Sequence, residues 1–404
     1  MRNWKTYKIS DLCEVGRGSS PRPIIDQRFF EGGSIPWIKI ADATSSGKYI
    51  YYTKEYVNEF GASFSRYLDK GSLIIAASGV SLGQIKFLGV RGCIHDGWLY
   101  ISDYKKDLIS KDFLYYFLIY YSAGFHNFSS GAAIQNINTE ILRNTLISIP
   151  HLSMQNSIAS ILSNYDDLIE VNNQRIKLLE ETARELYKEW FVRMRFPGWK
   201  ETKFVKGVPE DWVYDTCYSF ADIKGGGTPS TTNPEYWEGD INFFTPTDHS
   251  NSFFIFETEK KITEKGLRNS STKMFTKYST FITARGTVGN ICLAGTDMAM
   301  NQSCFGIVSH NENDCFFTFL FTDEMIKYLK LVANGATFDA ITLNTFKNYK
   351  ALIPNTELRQ LFFERTSPFF YQIENLLQQN TQLRQIRDRL LPRLISDKLT
   401  IKEP

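Results

Sequence analysis

The sequence has no Cys-x-x-Cys pair, no apolar run long enough to cross a membrane, and almost no surplus of charge. Each absence removes a class of function. The six cysteines (Cys13, Cys93, Cys217, Cys292, Cys304 and Cys315) stand singly, so six reduced thiols are expected and a zinc cluster is not. The longest apolar run, FLYYFLIYY at 113–121, falls far short of the ~20 residues a membrane helix needs. The opening MRNWKTYKIS lacks the apolar stretch of a secretory signal. A cytoplasmic protein with no membrane contact is expected. Lys+Arg number 46 and Asp+Glu 44, a net charge of +2, so no whole-protein basic field announces nucleic acid. The five histidines, at 95, 126, 151, 249 and 310, show neither triad nor metal spacing. His95 and Asp96 are adjacent, but neighbours on a strand face opposite ways. No residue is assigned as catalytic and none as a metal ligand.

Nucleotide loops are also missing. KGGGTPSTTNPEYW at 224–237 looks built for phosphate. A Walker A loop, however, needs a lysine after its last glycine, and a dinucleotide loop must open a helix. Here there is no such lysine, and Pro229 and Pro234 disfavour the helix. NPEY at 233–236 differs by one residue from the N-P-P-[YF] loop of amino-methyltransferases, and no cofactor glycine loop accompanies it.

What the sequence does contain is itself, twice. NWKTYKISDLCEVGRGSSP (3–21) lies over DWVYDTCYSFADIKGGGTP (211–229). GGSIPWIKIAD (32–42) lies over EGDINFFTPTD (238–248), and AASGVSLGQI (76–85) over TARGTVGNI (283–291). SGAAIQNINTEILRNTLISIP (130–150) lies over NGATFDAITLNTFKNYKALIP (334–354). The offset drifts from 208 to 204, too long for a solenoid repeat. Each copy is a whole domain followed by a connector.

The connectors read as long helices. After Pro150, the positions Ile158, Leu162, Tyr165, Ile169, Asn172, Ile176, Leu179, Ala183, Leu186 and Trp190 alternate spacings of four and three, a coiled-coil seam. Ser153 or Asn156 is the expected cap. After Pro354 the seam continues in Phe362, Thr366, Phe369, Ile373, Leu376, Asn380, Leu383 and Leu390, and Pro392 is expected to end or kink the helix. Polar Asn172 and Asn380 cost stability but can fix register. Two connectors related by duplication are expected to pair antiparallel about a pseudo-two-fold axis. At 1.5 Å per residue, residues 158–190 make a rod of about 50 Å. The copies themselves carry short aromatic and β-branched runs between turn residues, each with one short helix near 111–121 or 316–332. The fold class is therefore α+β: two duplicated, mostly-β globules joined by two long antiparallel coiled-coil helices. Expected boundaries are 1–150, 151–191 (helix), 192–206 (linker), 207–354 and 355–404 (helix).

The ordered set of features resembles one family, the specificity (S) subunits of type I restriction-modification enzymes. It rests on the duplication, on GGGTPSTTNPEYWEGDINFFTPTD, on ARGTVGNI followed by MNQS, on ARELYKEWF at the end of the central helix and on the closing LLPRLISDKL. The resemblance covers essentially the whole chain. It implies that each globule is a target recognition domain reading one half of a split double-stranded DNA sequence. It implies that the paired helices are both a ruler and a dock for two methyltransferase (M) subunits, joined by restriction (R) subunits. The chain itself would be non-catalytic and bind no cofactor; S-adenosylmethionine, ATP and Mg would sit on the partner subunits of the adenine methyltransferase/endonuclease complex. The alternative is a two-globule coiled-coil scaffold or regulator outside restriction-modification.

Arg suits guanine, Asn and Gln suit adenine, and Ser or Thr either. Candidate DNA contacts in the second globule are Lys224, Thr228, Ser230, Thr245, Arg285, Asn301 and Gln302. In the first they are Arg17, Arg22, Lys39, Ser78, Lys86, His95 and Gln135. The copies differ at matched positions: Ser78 against Arg285, and His95-Asp96 against Asn301-Gln302. Different half-sites follow. Residues 1–150 carry a balance of +4 and residues 207–354 one of −5, so the second globule needs a loop face with its acids turned away. The linker VRMRFPGWKETKFVK (192–206) has five basic residues and one acidic, suited to a DNA backbone or to plain solvent.

Overall fold

The computed structural model describes residues 4–44, 46–77, 82–127, 137–250, 252–332, 340–399 and 401. Two compact units emerge: residues 1–171 with 380–404, and residues 172–379. Each unit thus takes in one globule and an end of each long helix.

The duplication holds strand for strand. In the first unit a five-stranded sheet runs Glu14–Arg17, Trp98–Ser102, Leu73–Ala76, Ile85–Leu88, Tyr49–Ile50, antiparallel except for its last pair. A four-stranded sheet runs Tyr56–Val57, Ile35–Ile38, Gly92–Ile94, Arg66–Leu68, with a parallel central pair. The second unit repeats both orders. Its strands are Ala221–Gly225, Cys304–Ser309, Thr280–Thr283, Ile291–Ala294, Phe254–Ile255 in the one sheet, and Lys261–Ile262, Trp237–Phe244, Met298–Met300, Met274–Phe275 in the other. The parallel pairs recur at the same places. Lys5–Lys8 pairs with Leu146–Ile149 as Val213–Asp215 pairs with Ala351–Ile353, closing each globule on its own start. The second unit adds a small hairpin, Phe204–Val205 with Val208–Pro209.

Alternation explains the apolar strands. All four residues of Leu73–Ala76 are buried. Successive side chains leave opposite faces of a strand, so Leu73 and Ile75 join the helix-side core while Ile74 and Ala76 meet the other sheet. Phe281 and Ile282 divide in the same way. The short helices, Lys111–Asn127 and Cys315–Val332, pack onto the helix side. The second is apolar nearly all round its first turns, with Phe316, Phe317, Phe319 and Phe321 at most 4% exposed. Such a helix is stable only when enclosed.

The long helices run Leu152–Tyr187, continued by a π turn at Lys188–Val192, and Thr356–Ile395. In the first unit Asp166 of the central helix meets Arg387; in the second Tyr187 and Trp190 meet Phe362. Later residues of one helix lie against earlier residues of the other, the order of an antiparallel pair. Most of the expected seam is buried: Ile158, Leu162, Ile169, Asn172, Ile176, Phe362, Ile373 and Leu376. Tyr165, Leu179, Leu186, Phe369, Leu383 and Leu390 are only half-buried. Beside half-buried Phe369, Phe370 is fully enclosed, stacked on Phe316 at 4.0 Å and 7°. The helices share their cores with the globules as well as with each other. The buried stripe is therefore wider than a two-position seam.

Two further expectations are corrected. The central helix is capped by His151, whose carbonyl and Nδ1 take the first amides, not by Ser153 or Asn156. Pro392 does not end the second helix. Ser396 still donates to the Pro392 carbonyl at 3.2 Å, and buried Leu391, Leu394 and Ile395 hold the last turn in the first unit's core. A proline removes one donor, which such burial outweighs.

Candidate nucleic-acid interface

In each globule four chain reversals meet at one end of the two sheets, held by a matching set of backbone bonds. In the first, Gly18 N donates to Trp98 O, His95 N to Ile38 O, Ala77 N to Gly97 O and Ile137 N to Ala77 O, at 2.8–3.0 Å. In the second, Gly226 N donates to Cys304 O, Asn301 N to Phe244 O, Ala284 N to Ser303 O and Ile341 N to Ala284 O, at 2.7–3.1 Å. A carboxylate caps the same turn in both: Asp42 accepts from Lys39 N and Asp248 from Thr245 N, each at 2.8 Å. Glycine is required where two reversals touch. A Cβ on Gly18 would lie 2.2 Å from His95 O, and one on Gly226 lies 2.1 Å from Asn301 O.

This frame gathers most of the expected residues. In the first globule Arg17 Nε donates to the Asp96 carbonyl at 2.7 Å, and Arg22 pairs with the Asp96 carboxylate. His95 packs on Trp37 with ring centroids 5.5 Å apart and planes tilted by 54°, and the Lys39 ammonium lies 4.9 Å over the same indole while pairing with Glu55. Lys86 lies elsewhere. Its ammonium is bound by the Ser46 and Gly47 carbonyls at 2.8 and 2.7 Å, and burial pulls its pKa down. Ser78 and Gln135 fall outside the described residues.

In the second globule Thr228 Oγ1 bonds Gln302 Oε1, and Asn301 Oδ1 accepts from Ser303 N at 3.0 Å. Thr245 Oγ1 donates to Asp248 at 2.7 Å. Lys224 lies 3.3 Å from Asp222. Arg285 is exposed, with no hydrogen bond or ion pair among the described residues. Ser230 faces a separate turn, bonded to Thr232 at 2.8 Å. The acids have not all turned away: Asp248 sits at the cluster, whereas Asp222 lies toward the other end of its strand, where it meets His310 as well as Lys224. Asp248, however, spends its oxygens on Thr245 and on Glu259 N.

Sequence reading passed over Asp96, which organises both arginines of the first cluster, and the two capping carboxylates. Asp42 and Asp248 occupy matched places in the aligned blocks IKIAD and FTPTD, and that match was the available signal. The linker's charges are also largely spent. Arg193 bonds Glu185 and Glu189, Arg195 lies 3.8 Å from Glu189, and Lys203 pairs with Glu210.

Burial pushes the pKa of His95 down, partly offset by Asp96. Its Nδ1 accepts from Gly97 N at 2.9 Å and also lies 2.9 Å from an Asp96 oxygen. Nδ1 cannot accept from the amide and donate to that oxygen at once; burial favours the neutral ring, with Nδ1 as the acceptor. His249 is lowered by burial as well. The unfolded chain therefore binds more protons than the folded one below the ordinary histidine pKa of about 6.5. Stability should be full above that pH and fall as pH drops through it. Thermal melts at pH 7.5 and 5.5 should show this loss, and it should shrink in His95→Gln. An equal loss in the variant would exclude His95 as its source.

Among the described residues no three His, Cys, Asp or Glu side chains converge to hold a metal, and no helix is long and apolar enough to cross a membrane. The six cysteines are buried and free, the Cys93 thiol pushed to about 11 by burial.

The two globules share one duplicated α+β frame and present two different sets of polar side chains. The family described as "Type I restriction modification DNA specificity domain" matches residues 1–181 and again 209–385. The chain belongs to that family, whose members are the non-catalytic specificity subunits of type I restriction-modification complexes. The specificity subunit of type I restriction enzyme HindI from Haemophilus influenzae is 22% identical, over 99% of this chain and 100% of that one. The MjaIX specificity subunit from Methanocaldococcus jannaschii is 32% identical over 46% of this chain, a match that spans 44% of the relative. The crystal structure of a type I S subunit from M. genitalium shares the fold, with a TM-score of 0.59 and 15% identity over 97% and 96% of the two chains.

Proposed function

We propose that the two turn clusters read the two halves of a split, asymmetric double-stranded DNA target. The observation that carries this is one backbone frame with two chemistries. Arg17, Arg22, Lys39 and His95 occupy it in residues 1–150, and Thr228, Thr245, Arg285, Asn301 and Gln302 in residues 207–354. A cofactor or catalytic loop would keep its side chains between copies; loops reading different base edges would not. The long helices, 151–191 and 355–404, dock two M subunits, which carry S-adenosylmethionine; R subunits bring ATP and Mg. The assembly works in the cytoplasm.

The test is to map methylated bases in cells with and without this chain. A split motif that disappears with the chain supports the reading; an unchanged methylation pattern sinks it. Arg285→Ala should then relax one base position of one half only, weakening binding by ~1–3 kcal/mol with no change in melting. The helices set the spacer, with half-site centres on the order of 10–15 base pairs apart at ~3.4 Å per pair. Lengthening the helix within 165–185 should change the unread spacer. An unaltered spacer in the methylated motif would remove the ruler.

A further inference from the structure

The first globule carries an aromatic knuckle that the second lacks. Phe60 and Phe64 are 52% and 50% exposed. They form a T-shaped pair at 5.2 Å, and Phe60 stacks on buried Phe29 at 5.4 Å and 15°. The knuckle is rigid. Asn58 caps its short helix, accepting from Gly61 N at 2.9 Å, and its amide ties the helix to the Arg28 and Glu31 carbonyls. Two large exposed rings held this firmly cost solvation that a soluble surface avoids.

The knuckle is continuous with the first turn cluster. Ser65, next to Phe64, donates to Ser19 O at 2.6 Å, inside the Arg17–Arg22 reversal. Arg66 pairs in register with Ile94, next to His95. A chain of ring contacts runs from Phe29 through Phe30 and Trp37 to His95, at 5.2–6.5 Å. Exposed Arg22 and Arg28 flank it. The second copy keeps the backbone and drops the rings. A Cβ on Gly61 would lie 2.4 Å from Phe29 O, and one on Gly266 lies 2.5 Å from Tyr236 O. Phe60 and Phe64 thus correspond to Lys265 and Asn269, and Lys265 is tied to Glu235.

We propose that Phe60 and Phe64 form a wedge that stacks into a base step beside the half-site read by the first globule, unstacking the duplex there and not at the other half. This rests on the DNA-reading function above. Rings interleaved with basic residues suit a base stack, where every base offers a π face and the arginines meet phosphates. An apolar protein partner would be met by a surface without charges at its centre.

The test uses the full chain in its reconstituted methyltransferase complex, with the methylation-mapped duplex carrying 2-aminopurine at successive positions in and around each half-site. The variant is Phe60→Lys with Phe64→Asn, the residues the same backbone already accepts in the second copy. Wild type should show raised fluorescence at one step beside the first half-site and none beside the second. The variant should lose that signal and bind at least tenfold more weakly, although it gains a positive charge; because it uncovers Phe29 it should melt somewhat lower, so both proteins are compared well below their melting temperatures. A retained signal overturns the wedge. So does loss of bound methyltransferase subunits at unchanged DNA affinity, which would make the knuckle a protein contact. Failure of the wild-type complex to bind the mapped duplex would instead bring down the parent reading, and the wedge with it.

Discussion

Gly226→Ala is expected to destabilise the second unit by about 2–3 kcal/mol, the cost of forcing an atom into a filled site. Calorimetry of the full chain should show one transition lowered by roughly 4–10 °C. The added Cβ would lie 2.1 Å from Asn301 O and 2.6 Å from Met300 O. Both are backbone atoms, and the strands carrying them are pinned: Gly226 N bonds Cys304 O and Gly227 N bonds Met300 O. Neither can step aside without breaking a sheet bond. Gly225 is the internal control. Its Cβ would meet nothing nearer than the Phe305 ring at 3.7 Å, ordinary contact, so Gly225→Ala should be near neutral. Gly18→Ala should repeat the large effect in the first unit, at 2.2 Å from His95 O. If Gly226→Ala and Gly225→Ala melt alike, the close approach is wrong.

Asp166→Ala is expected to cost the first unit about 3 kcal/mol, near the lower end for removing one partner of a buried ion pair. The Asp166 side chain is 6% exposed, and it pairs with Arg387 of the other long helix while accepting from Tyr116 OH at 2.5 Å. The variant leaves a largely buried guanidinium and a buried hydroxyl without their acceptor. Arg387 keeps some solvent and a second acid, Asp388, which limits the loss. Burial acts against the charge of Arg387, yet its pKa stays raised because Asp166 and Asp388 outweigh it. Asp166→Asn, which still accepts from Tyr116, should fall between wild type and Asp166→Ala. In a double-mutant cycle with Arg387→Met the two losses should not add. Strict additivity would mean the pair is not coupled.

Patterns repeated along the chain were legible because they need only local rules. The duplication, the apolar strands and the two long helices follow from spacing, and the turn cluster from matched blocks. Helix-face details were not. Phe370 displaces Phe369 because the stripe is set by the short helix bearing Phe316 as well as by the partner helix. Pro392 is carried through because Leu394 and Ile395, beyond it, are anchored. Lys86 was an expected DNA contact, but two carbonyls about 40 residues away claim it. Asp96 carried no assignment in the sequence, yet it holds Arg17 and Arg22 in place.

By itself the sequence determined that there are two copies of one mixed domain, that long helices connect them, and that the chain carries no nucleotide loop or metal motif. These follow from composition, periodicity and the similarity of the chain to itself. Only the tertiary structure decided which polar residues meet at the sheet ends, which charges are already spent inside the protein, and that the first copy bears a rigid pair of exposed rings where the second has Lys265 and Asn269. Such facts depend on contacts between residues far apart in the chain, and on which side of a packed element a side chain emerges. That is fixed by burial and by satisfied hydrogen bonds, not by spacing.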